Sequence, residues 1–557
     1  MAALTIEQAF QLALAHHQAG RLAEAEAIYR QVLAAEPRHA DALHLLGVLA
    51  AGEGRFDEAL ELIQKAILLL PVQPIFHMNL GVAYRRLGRL EEAVACLQRA
   101  AALGQEMAAV HMNLGDALYG LGRIDDSIAS SQRALALRPD YAEAHSNLGN
   151  ALAKKRRWDE AAACYHRALA LKPDYAEAHN NLGNAFIEHH RWDEALACCQ
   201  RALALKPDLI EAYGNLGVAL VEMGGPSAAL DFYRQTIASR PDFAPAHWNL
   251  ALLLLRIGRY EEGWKEYEWR WRYEGFASPK RNFSAPQWDG SPVAGGAILL
   301  HTEQGFGDAL HFLRYVPFVA GRVGRAIFEC PPELARLITQ SGGWNADIIV
   351  RDGGPPPPFD CHLPLLSLPL ALGRFEPMPM AAPYLGADPG LRAAWRERLG
   401  VSSNRRVGLA WAGSPKHQND GRRSIEAEQF LPFLRTSCVS FFSLQVRPPG
   451  ALPQALADAG VIDLTAHITD FADTAALMAE LDLIITVDTA AAHLAGALGR
   501  PVWTLLPFVP DWRWGLEREG TPWYPTMRLF RQPSPGDWDS VIGRVAEELA
   551  ALQHSAL

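Results

Sequence analysis

Cysteine is scarce here and shows no pairing pattern: seven residues in 557, an odd number, with no CxxC spacing. That argues against a disulfide framework or a zinc knuckle and makes a reducing cytoplasm the expected compartment. Long apolar runs are missing too. The longest candidate, "LPLLSLPLALG" (363–373), is too short and too proline-broken for a transmembrane segment. The opening "MAALTIEQAFQLALAHHQAG" has no basic leader and reads as an amphipathic helix, not a signal peptide. With charged residues at 20% and a formal charge of −10, a general binder of nucleic acid or anionic membrane is disfavoured. GxxxxGK(S/T) and HExxH are absent, and "GFGDAL" (305–310) lacks the third glycine of a dinucleotide fingerprint. What remains is an ordinary globular composition, 49% hydrophobic, at a length that suits about three to four domains.

The first half is periodic. Gly47, Gly81, Gly115, Gly149, Gly183 and Gly217 are 34 residues apart, and Pro71, Pro139, Pro173, Pro207 and Pro241 keep the same beat. So do Ala25, Ala59, Ala93, Ala161, Ala195 and Ala229. Cys96, Cys164 and Cys198 fall on one repeat position, which makes them packing residues rather than redox groups. One unit, "AEAHSNLGNALAKKRRWDEAAACYHRALALKPDY" (142–175), holds two helical patterns around a short turn, stopped by Lys-Pro-Asp. Small residues let the two helices approach; the prolines end each helix on schedule. The pattern resembles the tetratricopeptide repeat over residues 6–243, with a degenerate eighth unit to about 277.

Asn79, Asn113, Asn147, Asn181, Asn215 and Asn249 recur at one position of the first helix of each unit, where a side chain should face the concave groove. A row of amides offers donors and acceptors to an extended peptide, although asparagine is also simply common at this position. The array of protein O-linked N-acetylglucosamine transferases carries a similar ladder. His77, His111, His145, His179 and His247 recur likewise and read as packing residues. In "WKEYEWRWRYEGF" (264–276), Trp264, Tyr267 and Trp271 share a helix face, expected to dock the last hairpin on the next domain. "ASPKRNFSAPQWDGSPVAGG" (277–296) reads as a linker.

From residue 297 strands and helices alternate. "AILLHTE", "RAIFEC" and "ADIIVRD" form one set of strands; "RVGLAWAG", "VSFFSLQV", "DLIITV" and "PVWTLLP" form another. "ADPGLRAAWRERLGVSSNRR" (387–406) divides them. The alternation predicts two parallel-sheet, Rossmann-like lobes, with ligands at the carboxyl ends of strands. In "DLIITVDTAAAHLAGALGRP" (482–501) a strand ends at Val487 and a helix begins near Thr489. Free N–H groups at that helix start attract phosphate, and the alanines at 490–492 leave room for it. Helix-end effects reach only about 0.3–2 kcal/mol, so a cation is needed as well. "WAGSPKHQNDGRRS" (411–424) offers Lys416, with Arg422 and Arg423 as helpers. Transfer from a phosphate-bearing donor to a hydroxyl would also require a carboxylate base facing the phosphate. Asp308 lies in a glycine-flanked turn after a strand, with Glu303 and His301 as substitutes. "DWD" (537–539) reads as a helix cap rather than a metal site. Trp512 and Trp514 either stack on a ligand or pack the core.

"VDTAAAHLAGALGRP" and "TEQGFGDALHFLRYVP" resemble the corresponding stretches of bacterial heptosyltransferases. The resemblance implies a two-lobed GT-B fold working without metal or other cofactor. It also implies that Asp488, Thr489 and His493 line the donor sugar-diphosphate, that Lys416 touches phosphate, and that Asp308 is the base. Ala490 stands where that family has glycine.

The expected architecture is an all-α tetratricopeptide superhelix (1–277), a linker (278–296) and an α/β GT-B-like unit. That unit comprises an acceptor-side lobe (297–386), a connection (387–405) and a donor-side lobe (406–557). The expected function is sugar transfer from UDP-N-acetylglucosamine or a nucleotide-heptose to a hydroxyl, at Ser or Thr of a protein held by the repeats. A lipopolysaccharide-type acceptor, with the repeats recruiting partners, and a non-catalytic scaffold are the alternatives. No nucleic-acid partner is expected.

Overall fold

The computed structural model describes residues 4–276, 278–351, 353–378, 383–414, 420–446 and 452–552. The chain divides into two compact units, Met1–Ala219 and Leu220–Leu557.

The first unit is a tetratricopeptide stack of paired helices, such as Ala142–Lys154 with Trp158–Leu171. Its recurrent glycine is where the two helices of a pair touch. A Cβ on Gly47, Gly81, Gly115, Gly149 or Gly183 would lie 2.6–2.8 Å from the side chain sixteen residues on: Ile63, Leu97, Ser131, Tyr165 or Cys199. The recurrent alanines are fully buried opposite. Ser127 takes their place once, and its hydroxyl donates to the Gly115 carbonyl (2.7 Å). The recurrent histidines close the turns between units. The Nε2 of His77, His145 and His179 donates to the carbonyls of Pro71, Pro139 and Pro173 at 2.9–3.0 Å. Where the histidine is replaced, the Tyr213 hydroxyl donates to the Pro207 carbonyl instead (3.0 Å).

The second unit opens with the helices Pro226–Ser239, Ala244–Arg256 and Tyr260–Tyr267 and a tight turn, Glu268–Arg272. As expected from their shared face, Trp264 and Tyr267 are buried in the core of the α/β region. Trp264 donates to the Phe375 carbonyl (3.2 Å) and stands edge-on to Phe312 and Trp512. Trp271 packs on Phe276 instead.

Two sheets make up the rest of this unit. The first consists of β1 (Val293–His301), β2 (Val323–Cys330), β3 (Asp347–Val350) and β4 (Cys361–Pro364), all parallel, in the order β3-β2-β1-β4. β1 starts four residues before the apolar run that marks it in the sequence, its register broken between Val293 and Ala297. The second contains β5 (Arg405–Ala410), β6 (Val439–Ser443), β7 (Leu483–Val487), β8 (Val502–Leu506), β9 (Gly520–Thr521) and β10 (Tyr524–Arg531). Its order is β6-β5-β7-β8-β10-β9, parallel except for the β9–β10 pair. All five residues of β7 are buried, as a central parallel strand covered on both faces requires.

Both sheets reverse direction once. The first passes from β1 outward to β3, then returns to place β4 on the other side of β1; the second passes from β5 to β6 and returns with β7. The crevices at the carboxyl ends of β1/β4 and β5/β7 are therefore where this architecture takes ligands.

Candidate functional site

At the β5/β7 crevice, Trp411–Ser414 leaves β5 and Asp488–Thr489 leaves β7. Thr489 is the N-cap of the helix Ala490–Ala497, its hydroxyl accepting from the Ala491 N–H (3.3 Å). Arg423 crosses the crevice. Its Nη1 donates to the Asp488 carbonyl (3.0 Å), and its Nε faces Asp420 at 3.4 Å. Gly413 makes this crossing possible, because a Cβ there would sit 2.4 Å from Arg423 Nη2. The Asp488 carboxyl is pushed up to about 6, first by burial and then by Asp511; Trp514, Arg423 and Arg513 pull it back. Lys416, with residues 415–419, lies outside the described residues, and Arg422 is exposed.

His493 is buried one turn into the same helix. Its ring stacks on Trp514 (5.3 Å, 22°) and its Nδ1 is 3.0 Å from the Tyr524 hydroxyl. That hydroxyl also meets His311 Nδ1 at 3.1 Å. One phenol has one proton, so Tyr524 can donate to only one of the two imidazoles. Burial drives both histidines well below their usual range, so neither carries charge at neutral pH. His493 thus underpins the helix start from within, while Asp488 and Thr489 are only half-buried.

Asp308 is the third residue of the helix Phe306–Phe312 that comes after β1, N-capped by Gly305. This helix packs on Ala490–Ala497 through Gly307, where a Cβ would stand 3.0 Å from His493 Cδ2. The Asp308 carboxylate is ion-paired with Arg513, whose Nη1 also contacts Asp511 (2.9 Å). Arg513 is 7% exposed against 21% for Asp308. Asp308 thus pairs with a guanidinium whose charge Asp488, from the other sheet, also feels.

The two substitutes for Asp308 are engaged elsewhere. Glu303 holds Arg270 through both oxygens and accepts from the Leu366 N–H. His301 lies 3.3 Å from His362, and burial brings it down to about 3. Sequence reasoning does not reach Arg513 or Tyr524; the signal for Arg513 is a cation set between the two tryptophans Trp512 and Trp514. Trp512 and Trp514 are core residues, and Asp537 caps the last helix by accepting from the Ser540 N–H (3.0 Å). An open depression of about 660 Å³ lies elsewhere, along β2 and β3 near Gly342–Ile348, where Arg325 and Asp347 are paired with each other at 2.7 Å.

Comparison with known proteins finds different families along the two halves of the chain. Tetratricopeptide repeats match residues 10–74, 45–108, 115–156, 146–210 and 182–248. Glycosyltransferase family 9 (heptosyltransferase) matches residues 461–519, the segment carrying Asp488, Thr489, His493 and Arg513. Tetratricopeptide repeats thus run across the N-terminal half, and a segment near the C-terminus is similar to glycosyltransferase family 9. Protein FlbA of Caulobacter vibrioides is 29% identical over 324 residues, covering 53% of this chain and 53% of FlbA. The chain therefore spans about half the length of the curated relative it matches. Among solved structures, the Cut9–Hcn1 assembly of the APC/C is 22% identical, covering 39% of this chain and 43% of that one, with a TM-score of 0.37. PilF of Pseudomonas aeruginosa is 22% identical over 38% of this chain and 95% of PilF, with a TM-score of 0.35. Among the described residues no helix is long and apolar enough to cross a membrane.

In the tetratricopeptide array the asparagine row is half-buried, and most of its amides are hydrogen-bonded within the array. Asn79 Nδ2 meets His44 Nε2 (2.8 Å); Asn113 and Asn249 donate to the carbonyls of Ala109 and Pro245, one turn back. Asn181 donates to Asn150 Oδ1 and Asn215 to Asn180 Oδ1, both at 2.9 Å, which links neighbouring first helices. Asn147 has no intramolecular partner among the described residues. Part of the donor capacity that the sequence offered to a peptide is spent on holding the array together.

Proposed function

We propose that the chain transfers a sugar from a nucleoside-diphosphate donor to a hydroxyl, with the diphosphate over the Ala490–Ala497 helix start and Asp308 as the base. The pairing of Asp308 with Arg513 where the helices after β1 and β7 pack together, Gly307 against His493, carries this reading. In the step, the acceptor oxygen attacks the anomeric carbon and its proton passes to the Asp308 carboxylate. The bond to the diphosphate breaks, and its electron pair leaves on the phosphate oxygen. Inversion at the anomeric carbon results from a single displacement.

Charge decides what else is required. The described residues set Asp308, Asp420, Asp488 and Asp511 against Arg423 and Arg513, an excess of acid that repels a diphosphate. The reading therefore assigns Lys416 to the phosphates and has Asp488 protonated when they bind. For the acceptor, the repeat array favours a Ser or Thr of a protein segment, with Asn79, Asn113, Asn147, Asn181, Asn215 and Asn249 along the groove. The family 9 match favours the second reading, a heptosyltransferase-like enzyme acting on a lipopolysaccharide-type acceptor.

The test is thermal stabilisation of the full chain by UDP-N-acetylglucosamine and by nucleotide-heptoses, since a ligand that binds only the folded form raises its melting point. One class should stabilise it. Lys416→Ala should weaken nucleotide binding about tenfold or more, and Asp308→Asn should abolish transfer while binding survives. Failure of every donor to shift the melting point would leave the scaffold reading.

A further inference from the structure

Resting on that transferase reading, we propose that Arg513 is a positioning residue: it clamps the Asp308 carboxylate from across the two sheets and keeps it oriented and ionised for proton abstraction. Arg513 sits in the tight turn Trp512–Trp514 after β8, Asp308 in the helix after β1, so their ion pair joins the two sheets. The guanidinium is wedged against aromatics, 4.5 Å from the Trp512 ring and 5.7 Å from that of Phe312. Water is excluded on those sides, and a charge pair there is far stronger than on the surface.

The other groups that bear on the pair come from several elements, among them Arg256 at the end of the helix Ala244–Arg256, which feels Asp511. Tyr267, from the last helical hairpin, feels both Asp308 and Arg513. Asp511 shares the guanidinium from its own turn, and Asp488 feels it from the end of β7. His311 and His493 are neutral neighbours. Arg513 is thus the cation closest to the proposed base, and its planar fork reaches Asp308 and Asp511 from two nitrogens in a fixed geometry that a compact ammonium lacks.

The experiment measures release of the nucleoside diphosphate from UDP-N-acetylglucosamine and from a nucleotide-heptose, with water as acceptor, across pH. Arg513→Gln should lower turnover about tenfold or more and move the acid limb of the profile upward by about half a pH unit or more. Its affinity for the free nucleotide, by calorimetry, should stay within about threefold of wild type. Arg513→Lys should return the limb toward wild type, because charge is restored, while turnover stays low. An unmoved limb, or a large loss of nucleotide affinity in its place, overturns the proposal. Should Arg513→Gln not fold, Asp511→Asn decides: with its second partner removed, Arg513 should hold Asp308 harder and the limb should move down. A limb that stays or rises overturns it. Wild type that neither binds nor releases any nucleotide refutes the transferase reading itself, and this inference with it.

Discussion

Arg270, in the turn that ends the last helical hairpin, holds Glu303 at the end of β1 through Nε and Nη2, with both residues out of solvent. Ser367 and Glu268 complete the network. The crevice between β1 and β4 is therefore braced by a residue that the sequence assigns to the repeats. Breaking a buried pair from one side leaves an uncompensated charge and costs about 3–5 kcal/mol. Arg270→Met should lower the melting temperature of the second unit by several degrees, while the double variant with Glu303→Leu recovers part of the loss. Calorimetric scans of the full chain check this; equal losses in both variants would remove the pair from the account.

The repeats contain a defect that can be repaired. The first helix of each early unit ends in a left-handed glycine: Gly20, Gly54, Gly88 and Gly122, with φ of 72–80°. Thirty-four residues on, the same backbone is imposed on Arg156 (φ 59°) and then on His190 (φ 57°). A side chain in that region costs about 1 kcal/mol relative to glycine. Arg156→Gly should therefore stabilise the array by about 0.5–1 kcal/mol, less a little for the looser unfolded chain. A urea titration monitored by far-ultraviolet circular dichroism reads this directly; a lower midpoint would contradict it.

Gly496 and Gly307 admit close neighbours to different degrees. A Cβ on Gly496 would lie 2.5 Å from the Tyr524 ring, and one on Gly307 would lie 3.0 Å from His493. The His493 ring is held between Trp514 and Tyr524, so it yields little. Overpacking costs about 1–3 kcal/mol, against which alanine regains about 1 kcal/mol of helix propensity. Gly496→Ala should be clearly destabilising and Gly307→Ala only slightly so. The reverse order in thermal melts would show that Tyr524 moves more freely than its bonds to His311 and His493 imply.

What the sequence discloses is what repeats or stays local. A period of 34 exposes every helix of the array, and apolar runs expose β2, β5, β7 and β8, because each buried face prints its own rhythm. Thr489 as a cap and Asp537 as a cap are equally local. Arg513 is not, since its partner Asp308 is 205 residues away. Neither is Tyr524, which joins His311 and His493 across 213 and 31 residues. The asparagine row shows a third kind of limit. Its spacing is plain, but whether an amide faces a peptide or its neighbour depends on how the units stack.

Asp488 ties pH to both stability and binding. Its carboxyl is pushed up to about 6 from an ordinary 3.8, by burial first and then by Asp511. Between those values the folded chain holds a proton that the unfolded chain has released, so stability falls as pH rises from about 4 to 6 and the loss is complete above that. Two units correspond to at most about 3 kcal/mol. Asp488→Asn, which cannot ionise, should melt higher than wild type at pH 7.5 and level with it near pH 4. A diphosphate arriving beside Asp488 raises the carboxyl further, so its binding should take up a proton and weaken as pH climbs past 6. Calorimetry of UDP binding in two buffers of different ionisation enthalpy measures that uptake. Were uptake zero and the Asp488→Asn advantage the same at both pH values, the phosphates would not sit at the end of β7.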